Sequence, residues 1–295
     1  MSALDLSALP APEVLEPLDF EDVYEEGLGT FRSHMGDNWT AALESDPVTK
    51  VLEVGAYNKV GNRARVNDAA KALLLAHAIG SDLDHLGANV NLKRLVIQAE
   101  DLTVVPPVSE VKEKDDPFRE RIQLAYEGLT TAGPRNSYIL HARNASALVA
   151  DATAESPSPC CVTVTVLSSE GEGVAGPELL AAVATELNDE DVRPLTDFVT
   201  VQSAQIIHYS IAAILHMNGA GPEGDASLAE AIKRLAAWIN PRKRLGVEVA
   251  RSAVDAQLHV AGVSRVELTG WVDLAPTKAQ AAFCTGYDVV LAGSP

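Results

Sequence analysis

A chain of 295 residues with 47% hydrophobic and 22% charged side chains has a globular composition and room for one large domain or a few modest ones. Its net charge of -18 excludes DNA, RNA or an anionic membrane surface as the main partner, since each needs a basic face. The longest apolar runs, such as Ala72–Ala76 and Ile211–Leu215, are too short to span a bilayer.

Residues 1–19 carry Pro10, Pro12 and Pro17 and read as an extended arm. A short helix follows at roughly 20–35. Asp46 as N-cap and Pro47 at the first helical position open the longest helical stretch, which the apolar spacing carries to about Ile79. Unbroken, it would be roughly 50 Å long at about 1.5 Å per residue. Gly55 and Gly61 are its weak points. Next come a capped helix over SDLDHLGANVNL, a strand over RLVIQA, helices over 116–131 and 134–146, and a strand over LVADATA closed by a rigid turn at SPSPCC.

Beyond residue 155 the pattern alternates. The spacing predicts a strand over 161–168, a helix over 177–187 and one or two strands within 199–215. A Ser227/Glu230 capping box opens a further helix, followed by a helix over 246–259 and strands over 265–271 and 287–292. The expected fold class is α+β, an amino-terminal helical region with a long helix followed by mixed α/β modules with open sheets. Its parts are the arm over 1–19, a helical bundle region over 20–90, a central α/β region over 91–155 and carboxy-terminal α/β modules over 156–295.

Few motifs suggest chemistry. Gly171–Gly176 (GEGVAG) matches the dinucleotide-binding G-x-G-x-x-G between a strand and a helix. However, Glu170 and Glu172 put negative charge where a pyrophosphate would lie. The acidic run 189–191 also sits just past the helix, not at the end of a second strand. A tight loop using glycine's backbone freedom is the plainer account, and a nucleotide-binding enzyme using this loop is kept as the alternative. Asp82 and Asp84 face apart on a helix and suit capping and solvation better than a cation. The seven histidines form no metal-ligand spacing. No catalytic, cofactor-binding or metal residue is assigned, and no cofactor is expected.

Cys160, Cys161 and Cys284 cannot all pair and fit reduced thiols. The acidic start lacks the basic and apolar segments of a secretion signal, so synthesis and use in the cytosol are expected. Charge is uneven along the chain. Eleven acidic side chains in the first 50 residues face only Arg32 and Lys50, whereas Lys233, Arg234, Arg242, Lys243 and Arg244 cluster near the other end. Such asymmetry lets one copy's front meet another's back, which makes the basic cluster the candidate subunit-contact patch.

Several long stretches then point to a family. DLSALPAPEVLEPLDFE, AHAIGSDLDHLGANVNLKRL and above all DPFRERIQLAYEGLTTAGPRNSYILHARNA resemble the baseplate J-like proteins of contractile-tailed bacteriophages. SPSPCCVTVTVLSSEGEGVAG, DVRPLTDFVTVQSA and the closing strands follow in the family order, so the resemblance covers nearly the whole chain. Cys160-Cys161 stand where the family often has a glycine after the proline turn. The resemblance implies a structural baseplate wedge subunit, not an enzyme, that forms the ring around the hub and takes part in assembly and contraction triggering. The implied partners are a second copy of the chain, a smaller tail protein of the wedge, a sheath-initiator-like baseplate protein and the central hub or spike. It implies assembly in the bacterial cytoplasm and then a place in a virion tail, or in a released R-type pyocin, a headless tail-like bacteriocin.

Overall fold

A computed structural model describes residues 6–10, 12–36, 46–128, 133–218, 223–240 and 244–292. The chain divides into two units, Met1–Lys93 and Arg94–Pro295.

In the first unit, Asp19 caps α1 (Phe20–Met35) by accepting from the Asp22 N–H at 3.1 Å. Asp46 caps α2 (Pro47–Ala72) in the same way, accepting from Val48 N–H at 2.9 Å, with Pro47 in the first turn. Helix α2 passes unbroken through Gly55 and Gly61, so these glycines weaken but do not stop it. It ends at Ala72, short of the expected Ile79. There the Leu74, His77 and Ala78 amides turn back on Lys71 and Leu74 carbonyls, and Gly80 at φ +53° starts α3 (Gly80–Ala88). Its 26 residues make a rod of about 39 Å. The proline-rich stretch is tied to this rod: Asn67 bonds both backbone groups of Glu16 (3.0 and 2.8 Å), and Arg63 pairs with the Glu16 carboxylate at 2.5 Å.

The second unit holds three sheets. The smallest is a hairpin of β1 (Val96–Gln98) and β2 (Val111–Lys112), extended by a bridge between Asp101 and Val108. Helix α4 (Asp115–Leu124) runs on as a 3-10 turn over Ala125–Gly128, and α5 (Arg135–Ala145) leads into the next sheet. That sheet has the order β3-β4-β5, with β3 (Val149–Ser158) antiparallel to β4 (Cys161–Ser168) and β4 parallel to β5 (Phe198–Ser203). Parallel neighbours need a crossover, which α6 (Pro177–Leu187) supplies. Its buried Leu179, Val183 and Leu187 meet Val164 and Val166 of β4 and Tyr138 and Ala142 of α5.

The last sheet has the order β7-β6-β8 around the long β6 (Gln205–Met217). Helices α7 (Glu223–Trp238) and α8 (Arg251–Leu258) cover it, with Leu235, Val254 and Leu258 packed on Ile211, Leu215 and Val263. Strand β7 (Val263–Leu268) runs antiparallel and β8 (Gln280–Leu291) parallel to β6. A small cluster of Leu167, Ala204, Leu245 and Ala281 lies between the two larger sheets.

The α+β class is as expected, with differences in the parts. The division expected near residue 155 falls inside β3, where Glu155 is in register with Thr163. The open sheets of the carboxy-terminal region are two three-stranded sheets, because the Val199–Leu215 run breaks at Ala204 and its halves pair with different partners. Ser227 does not cap α7, which starts earlier; its hydroxyl donates to the Ala261 carbonyl at 2.9 Å. The helix expected from Gly246 starts only at Arg251, because Leu245 and Val249 are held in bridges to Ala281 and Leu274. Strand β8 begins at Gln280, its alternation masked by an irregularity where Cys284 pairs with Tyr209 and Gly286 with Ser210.

The turn at Pro159-Cys160 explains the missing glycine. Ser158 pairs with Cys161, and Cys160 takes φ +62°. Proline followed by a positive-φ residue is a type II turn, whose third position favours glycine. Cys160→Gly is therefore expected to raise the unfolding free energy by about 0.5–1 kcal/mol, read in a urea titration.

Candidate assembly surfaces

The stretch from Asp116 to Ala145, the most family-like in the sequence, carries a dense set of charges, and the structure brings them together inside the second unit. Arg121 of α4 is buried and pairs with buried Glu113; its Nε donates to Asn144 Oδ1 at 2.9 Å. Arg94 NH2 lies 2.7 Å from Asp115, and its NH1 donates to the Glu113 carbonyl at 2.9 Å. The Phe118 ring lies within cation–π reach of both guanidiniums, 5.0 Å from Arg94 and 5.8 Å from Arg121. A second knot joins Glu120 to Arg143 at 2.8 Å and to Arg244. Pairing of this kind fixes α4 against α5 and against the segment leading into α8. Nothing in the spacing of these residues told that they would meet, because the pairs join separate elements.

Beside the second knot, Asp151 accepts from the Leu245 N–H (3.0 Å) and the Ala152 N–H (2.9 Å). Burial pushes its carboxyl above the usual range, while these amides and Arg244 and Arg143 pull the other way. A raised folded-state pKa gives stability that is fully present below the unfolded carboxyl range and is lost as pH rises through the folded pKa. The stability difference between Asp151→Asn and the native chain should therefore shift toward the variant as pH rises through that window and be flat below it, measured by denaturant titration at stepped pH.

The basic cluster divides. Arg242 and Lys243 lie outside the described residues. Arg244 is not free for a neighbour, since it pairs with Glu120 and reaches the Ala150 carbonyl. Lys233 and Arg234 stand exposed on α7, with Lys233 at 3.9 Å from Glu230.

The glycine loop is used up by its own packing. Gly173 sits at φ +113°, and a Cβ there would come 2.7 Å from Leu167 Cδ1. Ala175 N–H donates to Ser203 Oγ at 2.9 Å, and the Glu172 carboxylate lies 2.9 Å from His208 Nε2. The geometry is that of a strand-to-helix turn. Among the described residues, no His, Cys, Asp and Glu cluster could hold a metal ion, and no helix is long and apolar enough to cross a membrane.

The first unit is short of core. Val23 is the sole buried residue described in α1, and in α2 only Thr49, Ala56 and Asn67 are buried. Meanwhile Val51 (71% exposed), Val54 and Tyr57 (75%) point to solvent. An apolar groove lined by Phe31, Pro47, Val48, Val51 and Leu52 lies beside them. Isolated apolar side chains on a surface are ordinary, but Val51, Val54 and Tyr57 exposed together along one helix are not.

Comparison with known proteins agrees with the sequence. The Baseplate J-like N-terminal domain matches residues 44–101, and the Baseplate J-like central domain matches residues 130–203. Over 301 aligned residues the chain is 47% identical to Baseplate protein J of Escherichia phage P2, an alignment covering 100% of this chain and 99% of that protein. The chain belongs to the baseplate J-like family.

Proposed function

We propose that the chain is a structural baseplate subunit of a contractile tail, a wedge component that completes its helical core with neighbouring proteins and works without catalysis. The observation that carries this reading is the bare surface of α2, where Val51, Val54 and Tyr57 are exposed over about two turns. At about 25 cal/mol per Å² of apolar area buried, covering that surface stabilises an assembly substantially. Helices gain most of their stability from packing of this kind rather than from propensity.

On this reading the subunit joins a ring around the central hub, contacting a second copy of itself, a smaller wedge protein and a sheath-initiator-like protein. Contacts between unlike surfaces close into rings when the rotation allows. Such interfaces rearrange on contraction, so the subunit takes part in triggering as a mechanical element. It is made in the bacterial cytoplasm and leaves in a virion tail or a tail-like bacteriocin. The basic contact is proposed for Lys233, Arg234, Arg242 and Lys243 without Arg244, since reversing Arg244 would face Glu120 with a second carboxylate and disturb folding itself.

Deleting the chain from its tail-gene block should abolish contractile tails seen by electron microscopy, and supplying the wild-type chain should restore them. The double variant Val51→Ser/Tyr57→Ser should fold with an unchanged melting temperature, because both side chains are solvated, and yet restore few tails. Full restoration by that variant would remove the bare helix from the account.

A further inference from the structure

The hairpin of β1 and β2 and its extension contribute no side chain to the core clusters of the described residues, and every residue from Val96 to Lys112 is exposed or half-exposed. Two strands alone are marginally stable in water. Here the base is held unusually firmly. Leu95 N–H donates to the Glu113 carboxylate (3.2 Å) and Glu113 N–H to the Leu95 carbonyl (2.9 Å), while Arg94 and Arg121 bind Glu113 and Asp115 around Phe118. A buried ion pair is thus placed where two strands of exposed chain enter and leave the unit.

The other end is apolar. Leu102 is 70% and Val105 97% exposed, with Val104 beside them. Free strand edges are ordinarily blunted by charge at such places. Charge occurs only on the flanks and is acidic: Glu100, Asp101 and Glu110, with Lys112 taken up by Glu110 at 3.0 Å. A partner richer in basic charge than a second copy, whose net charge is -18, suits this acidic element better. The tip also lies between the stretches that the two family domains match, 44–101 and 130–203.

From these observations we infer that the 96–112 hairpin is a docking arm, held rigid at its base, whose Leu102–Val105 tip enters an apolar slot with a basic rim on a different protein of the same particle. This rests on the reading of the chain as a tail subunit. A few anchor residues seated in a well-packed pocket carry most of the energy of such contacts, and a pre-oriented arm avoids the entropy of ordering a loose one.

The test uses a tail-gene block lacking this chain, complemented with the wild-type chain or with the double variant Leu102→Ser/Val105→Asp. The variant should melt at the wild-type temperature when purified but yield at least about tenfold fewer complete tails. Wild-type tail numbers from the variant overturn the arm, as does a lowered melting temperature, which would mean that the tip packs on its own chain. A photo-crosslinking residue at position 105 should, in purified assembled tails, join the chain to another tail protein identified by mass spectrometry. A product containing two copies of this chain, or no product, overturns the choice of partner. If the deletion strain makes normal tails, the tail-subunit reading itself fails, separately from the arm.

Discussion

Glu113→Ala is expected to lower the unfolding free energy by about 3–5 kcal/mol, because it leaves the buried Arg121 guanidinium without its carboxylate. The lost carboxylate also served the Leu95 amide at 3.2 Å, so both the helix and the hairpin base are affected. Burial presses the Arg121 pKa downward, against the attraction of Glu113. Removing both charges together, as Glu113→Leu with Arg121→Met, should recover most of the loss, since a well-packed apolar pair often equals a buried ion pair. Guanidinium titration of the three variants reads the cycle. A loss below about 1 kcal/mol in Glu113→Ala would mean that water reaches Arg121 and that the pair is not structural.

Leu235→Ala should cost about 2–5 kcal/mol. Leu235 is fully buried on α7 amid Ile211, Leu215, Val254 and Leu258, so its loss opens a cavity between the helices and the β7-β6-β8 sheet. The spread reflects how far α7 can settle into the space, and a thermal melt with a denaturant titration measures it. Its contrast with Val51 is informative. A residue of similar apolar character on α2 is mostly exposed, and truncating it should leave the isolated chain unchanged while harming assembly.

Local signals in the sequence transferred well where one element decides its own shape. Asp46 and Pro47 start α2, and Pro177–Leu187 is α6 over the range that its spacing implied. They failed where a partner strand decides. The period of Val199–Leu215 does not say that β5 joins one sheet and β6 another, nor does a strand starting at Gln280 show through Thr285-Gly286. The Ser227/Glu230 pattern met the statistical form of a cap, yet Ser227 is spent on Ala261. Arg244 sits beside basic neighbours in sequence but against Glu120 in space, whereas the hairpin tip at Leu102–Val105 carries no sequence motif at all.

Gly171–Gly176 illustrates the difference between a pattern and a site. The spacing of glycines fits a phosphate cradle, but the Ala175 amide is occupied by Ser203 and the space at Gly173 by Leu167. What the loop does is turn the chain from β4 into α6 so that Leu179, Val183 and Leu187 reach the sheet.

On the proposed reading, this chain acts through surfaces that its own fold leaves uncovered. Single-particle imaging of the intact baseplate tests it most directly. Density for the chain is expected in the baseplate, with the Val51–Tyr57 face of α2 packed against a neighbouring helix. Baseplates that are complete without the chain, or a chain whose α2 face is in contact with solvent in the assembled particle, would contradict it.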